Sequence, residues 1–131
     1  MPQKVLVIDD DIVSQNMLRS TLTQAGYSVI TASNGPEGLK KAWEQPPDLV
    51  VLDIMMPGMD GGEVASLLKD DPGTKRIPII FLSSLVTESR KKLDSHNNTI
   101  TYLSKPFDRD ELLNEVKRHL SGETRQGRDY Q

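Results

Sequence analysis

The stretch DLVVLDIMMPGMDGGEV (48–64) carries a run of apolar residues that stops at a single acid, Asp53, followed at once by Met-Met-Pro-Gly. An apolar, β-branched run of this length reads as a strand buried on both faces, the kind found in parallel sheets. Such a strand can end on almost any polar turn residue, so the plain reading of Asp53 is a solvated strand end. The flanking sequence tests that reading.

Four further runs, KVLVI (4–8), SVITA (28–32), PIIFL (78–82) and ITYL (100–103), join DLVVL (48–52) in alternating with longer segments of helical pattern. Strand and helix in alternation imply parallel pairing through right-handed crossovers, and a doubly wound α/β sheet covered by helices on both faces. The first helical segment sets Met17, Leu18, Leu22 and Ala25 on one side and stops at Gly26, a usual helix-ending residue. Asn34, Asp60 and Asp108 each precede a helical run and each has a glutamate three positions later, Glu37, Glu63 and Glu111, the pattern of a capping box. Trp43 is expected to pack on the sheet from the second helix. The segment Val86–Ser95 has few apolar residues and reads as the loosest helix, DDPGTKRIP (70–78) as a turn-rich connection, and residues 121–131 as a flexible tail or linker stub after one domain spanning 1–120.

The bulk numbers narrow the function. A chain of 131 residues supports one domain with a real core. A composition 36% hydrophobic and 27% charged, with net charge −3, has no broad basic field, so direct nucleic-acid binding is not expected. With no cysteine there is no disulfide, thiolate metal site or cysteine nucleophile. The apolar runs are far shorter than the roughly 18 residues of a membrane helix, and MPQKVLVIDD is broken by acids too early for a signal peptide. A cytoplasmic protein with no membrane contact is expected.

In a doubly wound sheet the ligand crevice lies beyond the carboxyl ends of the strands. The residues that follow each strand are Asp9, Asp10 and Asp11 after the first, Asp53 after the third, Ser83 and Ser84 after the fourth, and Ser104 and Lys105 after the fifth. Carboxylates gathered there repel by about 4 kcal/mol per pair at ~4 Å and an effective dielectric near 20. A hard divalent cation, Mg²⁺ above all, offsets that repulsion, and Lys105 is a weaker substitute. Cation, amine and hydroxyl together suit the oxygens of a transferring phosphoryl group, and an aspartate can be the nucleophile that receives it. Asp11 and Asp60 read as helix N-caps, Ser84 as a cap as well, and Met55, Met56 and Met59 as packing or loop residues. His96 and His119 lie too far apart in the chain pattern to be a ligand pair.

At these residues the chain closely resembles the receiver domain of two-component response regulators. The resemblance covers 4–120 and rests on Asp9-Asp10 after VLVI, LDIMMPGMDG around Asp53, Ser83 closing IIFL, and Lys105-Pro106-Phe107. It implies a flavodoxin-like, CheY-like (βα)5 fold with sheet order 2-1-3-4-5. It also implies that Asp53 is the phosphoryl acceptor and that Asp10, Asp53 and the Met55 carbonyl bind Mg²⁺ directly, with Asp9 binding through water. Ser83 and Lys105 would contact phosphoryl oxygens, the peptide before Pro106 would be cis, and Tyr102 would turn inward as Ser83 moves. The implied partners are a sensor histidine kinase or phosphotransfer protein and an unspecified downstream protein. The chain would be a monomer or weak phosphorylation-dependent dimer, and not an enzyme beyond its own phosphorylation and slow dephosphorylation.

Departures from the family pattern qualify the output rather than the chemistry. Asn98 and Thr99 stand where many receivers have Gly-Ala, and Ile100 and Thr101 where the subfamily dimerising through the fourth helix, fifth strand and fifth helix has two acids. These two positions do not carry the acids that mark that dimer. Met55 and Leu85, two beyond Asp53 and Ser83, are apolar and cannot position a hydrolytic water, so slow autodephosphorylation is expected. Two other functions compete. A haloacid dehalogenase type phosphatase wants a second acid two residues after its nucleophile, where this chain has Met55; after Asp9 such an acid exists, Asp11, but Ile12 and Val13 follow and no cap domain is present. A phosphorylation-independent module on the same fold would not need Asp9, Asp10, Asp53, Ser83 and Lys105 all intact.

Overall fold

The computed structural model describes residues 2–84 and 100–121. Their elements are β1 (Lys4–Ile8), α1 (Ile12–Gln24), β2 (Ser28–Ala32), α2 (Gly35–Glu44), β3 (Leu49–Asp53), α3 (Gly61–Asp70), β4 (Ile79–Ser83), β5 (Ile100–Ser104) and α4 (Arg109–Leu120). The helix expected at Val86–Ser95, the positions Leu85, His96, Asn98 and Thr99, and the tail from 122 lie outside the described residues.

The five strands are parallel and ordered β2-β1-β3-β4-β5. Alternation along each strand divides the core in two. Leu6, Ile8, Val50, Leu52, Ile79 and Phe81 face α2 and α3, meeting Leu39, Val64 and Leu68. Val5, Val7, Leu49, Val51, Ile80 and Leu82 face α1 and α4, meeting Leu18, Leu22, Leu112 and Val116. All five residues of β3 and all five of β4 are buried, as central parallel strands covered on both faces must be. Strands β3 and β4 each run one residue later than the sequence pattern suggests, so Asp53 and Ser83 are the last ladder residues of their strands rather than the first turn residues.

The N-caps follow their expected chemistry, but only one of the three expected capping boxes closes among the described residues, and neither Glu37 nor Glu111 bonds back to its cap. Asp11, Asn34, Asp60 and Asp108 are all N-caps, accepting from Val13, Glu37, Glu63 and Glu111 N–H groups. Asp60 and Glu63 form the reciprocal box. Glu37 instead reaches one residue further back, accepting from the Ser33 N–H at 2.7 Å, and that bond with the neighbouring Lys41 holds its carboxyl below the usual range. Helix α1 ends where Gly26 takes φ 101°, a backbone conformation that costs glycine little.

Two expectations on packing are corrected. Trp43 is 46% exposed, because Leu39 and Ala42 fill the sheet-facing stripe of α2. Met17 is exposed as well, and Ala25 with it; the buried stripe of α1 is Gln15, Leu18 and Leu22, spaced three and four residues apart.

Candidate functional site

Parallel strands deliver their carboxyl ends to one edge, and β1, β3, β4 and β5 bring their terminal polar groups together there. Carboxylate oxygens of Asp9, Asp10 and Asp53 all lie within 4.8 Å of one another. Asp9 and Asp53 are buried, and Asp10 is exposed. Asp9 Oδ1 accepts from the Asp11 N–H at 2.9 Å, and Asp53 Oδ1 from the Met55 N–H at 3.2 Å. Each second oxygen faces Lys105, whose Nζ is 2.9 Å from Asp9 Oδ2 and 3.5 Å from Asp53 Oδ2.

Lys105 reaches this position because its N–H bonds the Ser83 carbonyl at 3.1 Å, continuing the β4–β5 ladder past the strand end, and the Lys105–Pro106 peptide that follows is cis. Gly61 brings α3 close beneath the Asp53 strand end: its N–H bonds the Ile54 carbonyl at 3.0 Å, and a Cβ there would run into the Asp53 carbonyl. Burial pushes the Asp53 carboxyl up to about 6; Lys105 opposes that rise and Asp9 adds to it, with smaller effects from the Met55 N–H and Asp10. Burial also works against the charge on Lys105, yet the carboxylates of Asp9 and Asp53 hold its ammonium above the ordinary lysine range.

The expected residues are therefore mostly together. Asp9, Asp10, Asp53 and Lys105 form one cluster. Ser83 is buried at the end of β4, where its preceding neighbour Leu82 pairs with Asp53. Tyr102 stands on β5, stacked on Phe81 with ring centroids 4.9 Å apart. The Met55 side chain is 56% exposed. His119 is buried in α4, with Nε2 2.8 Å from the Thr101 hydroxyl, which Arg118 and Glu115 also contact. Sequence reading missed Gln15, a buried amide whose Nε2 bonds the Asp9 carbonyl at 3.0 Å. Its signal was available: a polar residue three before Leu18 and seven before Leu22 falls on the buried stripe of α1.

The residues fit a hard divalent cation. Three carboxylate oxygens lie within 4.8 Å of one another, two on buried residues and one on the exposed Asp10, a donor set of the kind such an ion takes. Among the described residues no helix is long and apolar enough to cross a membrane.

Comparison with known proteins identifies the group to which this arrangement belongs. Residues 5–117 match the family model of the response regulator receiver domain. The response regulator PleD of Caulobacter vibrioides is 38% identical over 108 residues, covering 82% of this chain; the chain spans about a quarter of PleD, 24% of its length. The chemotaxis response regulator CheY4 of Vibrio cholerae is 33% identical with a TM-score of 0.82, covering 92% of this chain and 100% of that one. The receiver domain of the sensor histidine kinase PA1611 from Pseudomonas aeruginosa PAO1, solved with a magnesium ion coordinated in its active site cleft, is 26% identical with a TM-score of 0.79, covering 92% and 99%. The chain belongs to the response regulator receiver domain family of two-component signalling.

Proposed function

We propose that Asp53 accepts a phosphoryl group from a phosphohistidine on a sensor histidine kinase or phosphotransfer protein, and that the acyl phosphate switches a partner-binding surface. The observation that carries this reading is the convergence of three carboxylates within 4.8 Å beside one ammonium, with a single member, Asp53, at the end of the central strand. In the transfer an Asp53 oxygen attacks phosphorus, the P–N bond breaks, and its electron pair stays on the departing imidazole, which takes up a proton.

Asp9, Asp10 and Asp53, with the Met55 carbonyl, would hold the magnesium, in keeping with the ion in the PA1611 receiver. When bound, it supplies positive charge opposite the phosphoryl oxygens. Lys105 neutralises a further oxygen from a position it already holds, and Ser83 donates its hydroxyl from the end of β4. Lys105 exchanges its present partners, Asp9 and Asp53, for the new phosphate, and the β4–β5 region settles into its second state as Tyr102 follows Ser83.

A protein donor is favoured by the surface around the site. Ile12, Val13 and Met17 of α1 are 58%, 61% and 53% exposed, beside a largely apolar cleft of about 300 Å³ between Met17, Pro106 and Phe107. Exposed apolar groups at this density mark a contact face. The domain spanning 1–120 acts as one unit in this reading.

Incubation with acetyl phosphate and Mg²⁺ followed by intact-mass measurement tests it. A single phosphoryl adduct on wild type and none on Asp53→Ala is the expected result. Turnover of a small phosphate ester with no lasting adduct would support a phosphatase instead, and neither adduct nor turnover a phosphorylation-independent module.

A further inference from the structure

Gln15 belongs to the buried stripe of α1, where Leu18 and Leu22 pack on the sheet, yet it carries a primary amide. An amide at such a position costs free energy unless its hydrogens are used. Here they are aimed at three acceptors: the Asp9 carbonyl at 3.0 Å, the Ala32 carbonyl at 3.2 Å and the Ser33 hydroxyl at 3.2 Å. Ala32 also accepts the Asp9 N–H, at 3.1 Å. Both peptide groups flanking Asp9 are thereby fixed, one through its N–H and the other through its carbonyl. The second of these is the peptide that joins Asp9 to Asp10, so its plane sets the direction in which the Asp10 chain continues.

The two acids differ in what else holds them. Asp9 is clamped at its carboxylate by the Asp11 N–H and Lys105. The exposed Asp10 receives no hydrogen bond to its carboxylate among the described residues. Its approach to Asp9 and Asp53 therefore depends on the backbone that carries it, and Gln15 is the side chain bonded to that backbone. We propose that Gln15 is a positioning residue: by fixing the Asp9–Asp10 peptide it sets the oxygen triad at the spacing a magnesium ion needs. This deepens the receiver reading and rests on it. The competing view, a clip that only joins the ends of β1 and β2, would lower stability without touching cation binding.

Calorimetric titration with MgCl₂ separates the two, using Gln15→Met, of similar length but with no N–H, and Gln15→Asn, which keeps the amide on a shorter arm. Thr74→Val serves as a stability control, since Thr74 is buried just past α3 and its hydroxyl, the group removed, donates to the Leu68 carbonyl. Gln15→Met is expected to bind Mg²⁺ roughly tenfold more weakly, about 1.4 kcal/mol, with the acetyl phosphate adduct restored at saturating Mg²⁺. Gln15→Asn should shift the same way by less, and it carries the test if Gln15→Met fails to fold. Mg²⁺ affinity within twofold of wild type in a folded Gln15 variant overturns the proposal, as does equal weakening by Thr74→Val. A wild type that neither binds Mg²⁺ nor forms the adduct overturns the receiver reading itself, a result distinct from either.

Discussion

At the amino end of the sheet Asp48 accepts from the Lys4 N–H at 2.7 Å while its own N–H donates to the Lys4 carbonyl at 2.8 Å; at the carboxyl end Asp53 stands within reach of two other carboxylates. The same contrast holds for the lysines. Burial lowers the pKa of Lys69, which spends its ammonium on the Lys75 and Ile77 carbonyls, whereas Lys105 is held charged between two acids. Thr74 likewise gives its hydroxyl to the Leu68 carbonyl at 2.7 Å. Polar groups at the amino end are matched to backbone and settle there. Those at the carboxyl end are matched to each other, with charges of like sign in excess, and so remain responsive to a cation or a phosphoryl group.

The largest break in that comparison is Asp53→Ala, which should abolish the phosphoryl adduct, while Asp48→Ala should form it at the wild-type level. Intact-mass measurement reads both, and an adduct on Asp53→Ala would overturn the assignment.

The next is the cost of the carboxyl-end charge. With Asp53 at about 6 in the fold against an ordinary 3.8, the folded state binds the extra proton between those values. Metal-free stability therefore falls as pH rises through that window and stays lower above it, by at most about 3 kcal/mol. Asp53→Asn removes this cost. In EDTA it should be the more stable protein at pH 8 and lose its advantage near pH 4, as urea midpoints would reveal; a gap of equal size at both pH values contradicts the mechanism.

Thr74→Val should cost about 1.5 kcal/mol by removing the hydroxyl bond to the Leu68 carbonyl, which keeps only the longer bond from the Asp71 N–H at 3.4 Å, with phosphorylation unchanged. Equal loss of adduct would mean the two ends are coupled. The smallest effect concerns release of the phosphoryl group. Met55→Asn/Leu85→Glu supplies polar side chains for a hydrolytic water and should speed phosphate loss roughly fivefold, about 1 kcal/mol of barrier; unchanged decay would show that Met55 does not withhold that water.

Much of this is legible in the sequence. Repeated strand and helix periods announce a parallel sheet, and a parallel sheet sends its strand ends to one edge, so Asp9, Asp10, Asp53, Ser83 and Lys105 could be grouped from their positions in the runs. Capping residues were legible too, because an N-cap is satisfied within its own first turn. The strand order came from resemblance, since alternation alone does not choose among parallel orders. Met17 and Trp43 defeated sequence reading for a simpler reason. An apolar residue near the edge of a stripe packs inward only if the stripe has room, and Leu18 and Leu22 in α1, with Leu39 and Ala42 in α2, already cover the sheet.

What the sequence determined by itself was therefore local and periodic: which segments are strands, which faces are apolar, where helices begin, and which chemical groups end up on one edge. Tertiary structure decided how those groups meet. Asp53 rises to about 6 because burial and two acids brought from other parts of the sheet edge act on it together, and Lys105 has its charge fixed by residues 96 and 52 positions away. The helical stripe marks Gln15 as buried, but the partners of its amide, the Asp9 carbonyl just after β1 and the Ala32 carbonyl of β2, were set only when α1 folded back on the sheet. Electrostatics and hydrogen bonding fall steeply with distance, so their balance at a site depends on spatial neighbours that no window of sequence contains.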